Sequence, residues 1–218
     1  MLFLVVLTLS GIGLMVFLGG QIEQKRREHL RAHARRLGLV EDPLASERGF
    51  VYLAKGIWNG AQLALGVRAA RTISGATAAA PQVIEIAAVG RALPGAVHFV
   101  PRERREQAIQ EGHAVAALSG DADFDAKIVA LTPQPIPADQ RSNAFAPAPS
   151  AATIPWLTEQ VRETLLGLKS WRHLDVHGDD HRIVLSAFAR EEDIDRALLA
   201  IQLLAAGPQS SGPQGPFR

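Results

Sequence analysis

Two runs of strand-forming residues meet at Asn59-Gly60, and that dipeptide constrains the fold more than any other feature of the chain. Both central positions of a tight hairpin turn need positive φ, which Asn and Gly tolerate. Before it, Gly49–Trp58 (GFVYLAKGIW) is rich in aromatic and β-branched residues. After it, Ala61–Arg68 alternates: Leu63, Leu65 and Val67 face one way, Gln62, Ala64 and Arg68 the other. Further strands are expected at Val83–Val89, Val97–Val100 and Phe124–Leu131, and a second hairpin over Leu174–Phe188 with His177-Gly178-Asp179-Asp180 as its turn. Two amphipathic helices complete the pattern. Trp156–Leu168 aligns Leu157, Val161, Leu165 and Leu168; Glu191–Ala206 aligns Ile194, Ala197, Leu198, Ile201 and Ala205 and opens on three acids that suit a helix N-terminus. The fold class implied is α+β, a mainly antiparallel sheet with two amphipathic helices on one face.

Upstream of this domain, Met1–Ile22 carries no charged side chain, and about 20 apolar residues suffice to cross a bilayer as a helix. No Lys or Arg precedes the apolar run, which speaks against a cleaved secretory signal. A transmembrane helix is therefore expected over 1–20. Of the chain's 23 basic and 22 acidic residues, six basic and two acidic fall in Gln21–Arg36. That cluster places the C-terminal side in the cytoplasm and the N-terminus outside, as a single-pass protein of the inner (cytoplasmic) membrane. Residues 21–38 read as a basic juxtamembrane helix ending at Gly38, a solvated stalk because Ile22, Leu30 and Leu37 are too sparse for a stripe. Lys25, Arg26, Arg27 and Arg31 are its expected membrane-surface contacts, each worth about 1 kcal/mol against anionic lipid headgroups. The domain proper then spans 39–206, and 207–218 (GPQSSGPQGPFR) is a tail too polar to pack. Thr72–Pro81 and the Pro/Ala-rich Thr132–Ser150 read as loops.

With the basic cluster set aside, the remainder is mildly acidic, which excludes a nucleic-acid-binding face. The absence of cysteine excludes disulfides, thiolate chemistry and iron–sulfur clusters. One polar constellation stands out: His173, Asp175 and His177 share a strand face at period two, and His181 on the return strand gives a possible metal set. Gly and Asp are equally what a hairpin turn requires, so the reading preferred is a polar strand edge with no metal. Asp121, Asp123 and Asp125 lack the spacing and closing Glu of a calcium loop. Arg102–Glu106 reads as a solvated turn or short helix. No phosphate loop, dinucleotide fingerprint or nucleophile elbow is present. No catalytic set and no cofactor are expected.

Gly120-Asp121-Ala122-Asp123-Phe124-Asp125, the following strand, the helix LTEQVRETLLGL, a hairpin and a terminal amphipathic helix together resemble a family of uncharacterised bacterial single-pass membrane-anchored proteins with a GD-x-x-FD strand signature. The resemblance implies the architecture, with Phe124 as a core anchor, and no activity. The function expected is a non-enzymatic accessory or scaffold subunit docking on other subunits of a larger membrane complex, respiratory or photosynthetic for example. The alternative is a membrane-tethered lipid- or ligand-binding sensor.

Overall fold

The computed structural model describes residues 24–25, 27–69, 71–72, 79–80, 82–110, 114–117, 119–132, 154 and 156–206. Nine strands form one sheet in the order β1-β2-β3-β6-β11-β10-β7-β9-β8, antiparallel at every pairing. They are β1 Val40–Glu41, β2 Phe50–Trp58, β3 Ala61–Arg68, β6 Val83–Val89, β7 Ala96–Pro101, β8 Ala114–Ala117, β9 Ile128–Thr132, β10 Trp171–His177 and β11 Asp180–Ser186. A separate two-strand ladder joins β4 Arg71–Thr72 to β5 Ala79–Ala80. The first hairpin turns at Asn59 (φ 50°) and Gly60 (φ 82°), as its sequence requires. β2 and β3 pair from Trp58↔Ala61 outward to Phe50↔Arg68.

One sheet face carries Leu63, Leu65, Val67, Ile84, Ile86, Phe99, Leu174, Val176, Ile183 and Leu185, all buried in the main core. Helix α1 (residues 24–36, residue 26 excepted), α4 Glu159–Leu166 and α5 Glu191–Ala206 contribute Leu30, Ala34, Val161, Leu165, Ala197 and Ile201 to the same core. The opposite face has a smaller apolar cluster (Val100, Ala108, Val129, Leu131) under α2 Arg105–Gln110, beyond which its side chains turn polar.

Three expectations are corrected. The transmembrane helix assigned to 1–20 lies outside the described residues, and among those described no helix is long and apolar enough to cross a membrane. The longest helix among the described residues, α5, has 16 residues and opens on three acids, against the ~20 apolar residues a span needs. The single-pass inner-membrane assignment is withdrawn accordingly. Second, the basic helix is no solvated stalk. Leu30 and Ala34 are buried at i, i+4, Leu37 packs at i+7, and His33 is 2% exposed beside them. The stripe is real but is completed by Ala and His, so it escapes a search for large apolar residues. Third, Phe124–Leu131 is not one strand. Asp121 Oδ1 accepts from the amides of Asp123 (3.0 Å) and Phe124 (3.1 Å), capping a short helix, α3 Ala122–Lys127, before β9 begins. Phe124 is buried at 1% exposure, as a core anchor should be.

Candidate anion-binding cleft

The polar face is read most directly across the sheet from β3 to β7. Arg68 on β3 reaches Glu85 on β6 with a two-pronged ion pair, Nε at 2.8 Å and an Nη at 3.0 Å. Its guanidinium also lies 4.4 Å from the centre of the Phe50 ring, so stacking and charge pairing fix one geometry. Arg182 on β11 pairs with Asp175 on β10 through one oxygen, its Nη and Nε both donating to Oδ2 at 2.8 and 3.2 Å. The other carboxylate oxygen lies 2.5 Å from His98 Nδ1 on β7, and His173 Nε2 is 3.5 Å from Oδ2. The ladder registers explain these meetings, since Asp175 stands opposite both Arg182 and His98.

Burial pushes the Asp175 carboxyl up, but hydrogen bonds from His98 and Arg182 outweigh it and hold the group well below the ordinary carboxylate range. Burial lowers His173 to about 4, with His98 and Arg182 adding to the shift and Asp175 opposing it. Asp175 is thus an anion whose oxygens are already engaged, and His173 is neutral at physiological pH.

Arg68, Glu85, His98, His173 and Arg182 line a cleft of about 410 Å³ together with Arg104, Gln107 and Arg172. Arg172 reaches it through a β-bulge. Trp171 pairs with Leu185 and His173 with Val184, so β10 carries one extra residue, Arg172, at this point. The bulge breaks the period of two: Trp171 joins the main core with Leu174, three positions on, leaving Arg172 and His173 beside the cleft. Here Arg172 Nε is buried and has no hydrogen-bond partner. Burial first, then the like charge of Arg104, lowers its pKa. Four guanidinium groups therefore line the cleft against one carboxylate, Glu85, which is spent on Arg68, while Asp175 at its margin is spent on Arg182.

The hairpin metal set does not assemble. His173 and Asp175 lie on the cleft side, whereas His181 pairs with Val176 and is fully buried, its Nε2 donating to the Arg91 carbonyl at 3.0 Å. His177 ends β10 on the surface. Asp121 caps α3 and faces Arg162 Nε at 3.3 Å, and Asp125 accepts from the Ser119 amide at 2.8 Å, so those acids have structural work. Of the expected lipid contacts, Arg26 lies outside the described residues, Lys25 is exposed and Arg27 is partly buried. Arg31 binds Glu41 at 2.8 Å and lies over the Tyr52 ring. No local spacing in the sequence joins Arg68, Glu85, His98, Arg104 and Arg172.

No protein-family model and no curated protein matches the sequence. Among solved structures, the chain is similar to the crystal structure of the mycobacterial trehalose monomycolate transport factor A, TtfA. The TM-score is 0.45 at 10% identity, covering 85% of this chain and 93% of that one.

Proposed function

We propose that this chain is a non-enzymatic accessory module that binds a small anion, a phosphate or carboxylate group, in the cleft on the polar face of its sheet. The observation that carries this reading is Arg172, a guanidinium with a buried Nε, no carboxylate partner among the described residues and a second cation beside it. Arg172 is half-buried as a whole, and its buried Nε–H is a donor left without an acceptor, which costs free energy until one is supplied. A planar, five-donor guanidinium fork matches the oxygens of a carboxylate or phosphate. Arg172 and Arg104 are the receptors; Arg68 and Arg182, tied to Glu85 and Asp175, are the walls.

Support for the non-enzymatic part comes from the same geometry. His98 and Asp175 form an acid–base pair, yet among the described residues no Ser, Thr, Tyr, Lys or Cys lines the cleft beside His98, and Arg182 shares the carboxylate. The set binds charge and holds it.

Thermal unfolding in inorganic phosphate or citrate, at constant ionic strength, tests the proposal. A ligand at about 100 times its Kd stabilises by ~2.7 kcal/mol, a shift of several degrees in a chain of this size. Arg172→Met should abolish the shift while leaving the ligand-free midpoint unchanged or higher, because it removes an uncompensated charge. An equal shift in Arg172→Met, or none in the parent, contradicts the reading.

A further inference from the structure

The N-terminal helix meets α5 through a second polar cluster, in the helical layer and away from the cleft. His29 and His33 stand one turn apart on α1, and Glu191 opens α5. Glu191 Oε2 lies 2.9 Å from His29 Nε2, and Oε1 lies 3.5 Å from His33 Nε2. One ligand atom from each residue falls within 4.8 Å of the other two. Ligands held about 2 Å from a tetrahedral zinc stand roughly 3.3 Å apart, so the observed separations need only small adjustments.

The surroundings of His33 supply an outer shell. Its Nδ1 lies 3.5 Å from Asp195 Oδ1, one turn beyond Glu191 on α5. A ligating imidazole is oriented by a carboxylate on its other nitrogen in this manner. Arg36 competes for the same atom, with an Nη 2.7 Å from His33 Nδ1 and 3.7 Å from both Glu191 and Asp195. Arginine can only donate, so in this arrangement Nδ1 accepts and the proton sits on Nε2, directed at Glu191. Coordination through Nε2 requires the opposite tautomer. Arg36 then swings out, which its 60% exposure allows, and Asp195 takes the Nδ1 proton. The positive end of the α5 dipole works against a cation, and Glu191, Glu192 and Asp193 in the first turn offset it.

We infer that His29, His33 and Glu191 form a site for a divalent first-row transition metal of the zinc class, which clamps α1 to the start of α5. Two imidazoles and one carboxylate leave a fourth position for water, and this donor set favours zinc over magnesium or calcium. His29 is half exposed and gives the ion its route in.

The test uses the purified full chain, stripped with chelator and titrated with Zn²⁺ by calorimetry, then with Co²⁺ by visible absorption. One equivalent should bind and the cobalt spectrum should be that of a tetrahedral site, while Mg²⁺ gives no heat. His29→Ala removes a half-exposed ligand, and it should weaken binding beyond the ~10–100-fold expected for loss of an outer-shell partner in Asp195→Asn. Glu191→Gln should do the same, and Arg36→Gln should tighten binding by removing the competitor. Absence of stoichiometric zinc binding overturns the site. So does binding that survives unchanged in His29→Ala and Glu191→Gln, because the metal would then sit on other histidines.

Discussion

His173 shows what a single residue contributes. Its ordinary pKa of 6.5 falls to about 4 because burial disfavours the imidazolium. His33 and His181 are lowered as well, burial again being the largest cause in each. Between about pH 4 and 6.5 the unfolded chain therefore binds protons that the native fold refuses. Stability rises with pH across this window and is lost as pH falls through it. Asp175 acts in the same direction lower down: its pKa is depressed, so its contribution is present above the ordinary value of 3.8 and disappears on further acidification. The urea midpoint should drop steadily from pH 6.5 to 4, and His173→Gln should flatten part of that slope. A midpoint that does not vary with pH in this range would contradict the assignment of neutral buried histidines. Little of this was legible in the sequence. His173 and Asp175 were visible as a period-two pair, but the partner that fixes Asp175 is His98, 77 positions away. Arg172 was hidden for another reason, since only a bulge sets it beside His173 at the cleft.

At the scale of elements, local chemistry wrote the first hairpin, β6, the second hairpin and α5 plainly into the sequence. Turn residues and alternation act over a few positions, and the structure places β6 and α5 at the bounds that patterning indicated. α3 is not visible in the strand-like pattern of Phe124–Leu131, because it is set by Asp121, whose side chain accepts from two amides as a helix cap. The packing of α1 was missed because Ala34 and His33 carry half its buried stripe. One close approach decides how α5 seats. A Cβ at Gly90 would stand 2.6 Å from both the Cβ and the carbonyl oxygen of Ala205, in the last turn of that helix. The next amide, Arg91 N–H, donates to the same oxygen at 2.7 Å. Gly90→Ala should destabilise the chain by about 1–3 kcal/mol through overpacking, read as a lower urea midpoint at unchanged slope. A midpoint equal to the parent's would mean that α5 does not end against this strand.

The whole molecule is a nine-stranded antiparallel sheet with its main helices on one face, and the other face is where charge collects. The strand order inserts the hairpin β10–β11 between β6 and β7, so that β3, β6, β11, β10 and β7 lie side by side although that hairpin is far from the others in sequence. The cleft exists only through that order. The sequence carries the alternation of each strand but not which strand lies next to which, so a site made of one or two residues per strand leaves no motif. The contrast with the helical face gives the most direct test of the binding account. Backbone amide shifts should be followed as inorganic phosphate is titrated into the isotope-labelled chain, with chloride as the ionic-strength control. The account predicts saturable shifts at Arg172, His173, Glu85 and Arg104, with Ile194, Ile201 and Val161 unmoved. Shifts scattered over both faces, or a cleft that stays silent at saturating phosphate, would contradict it.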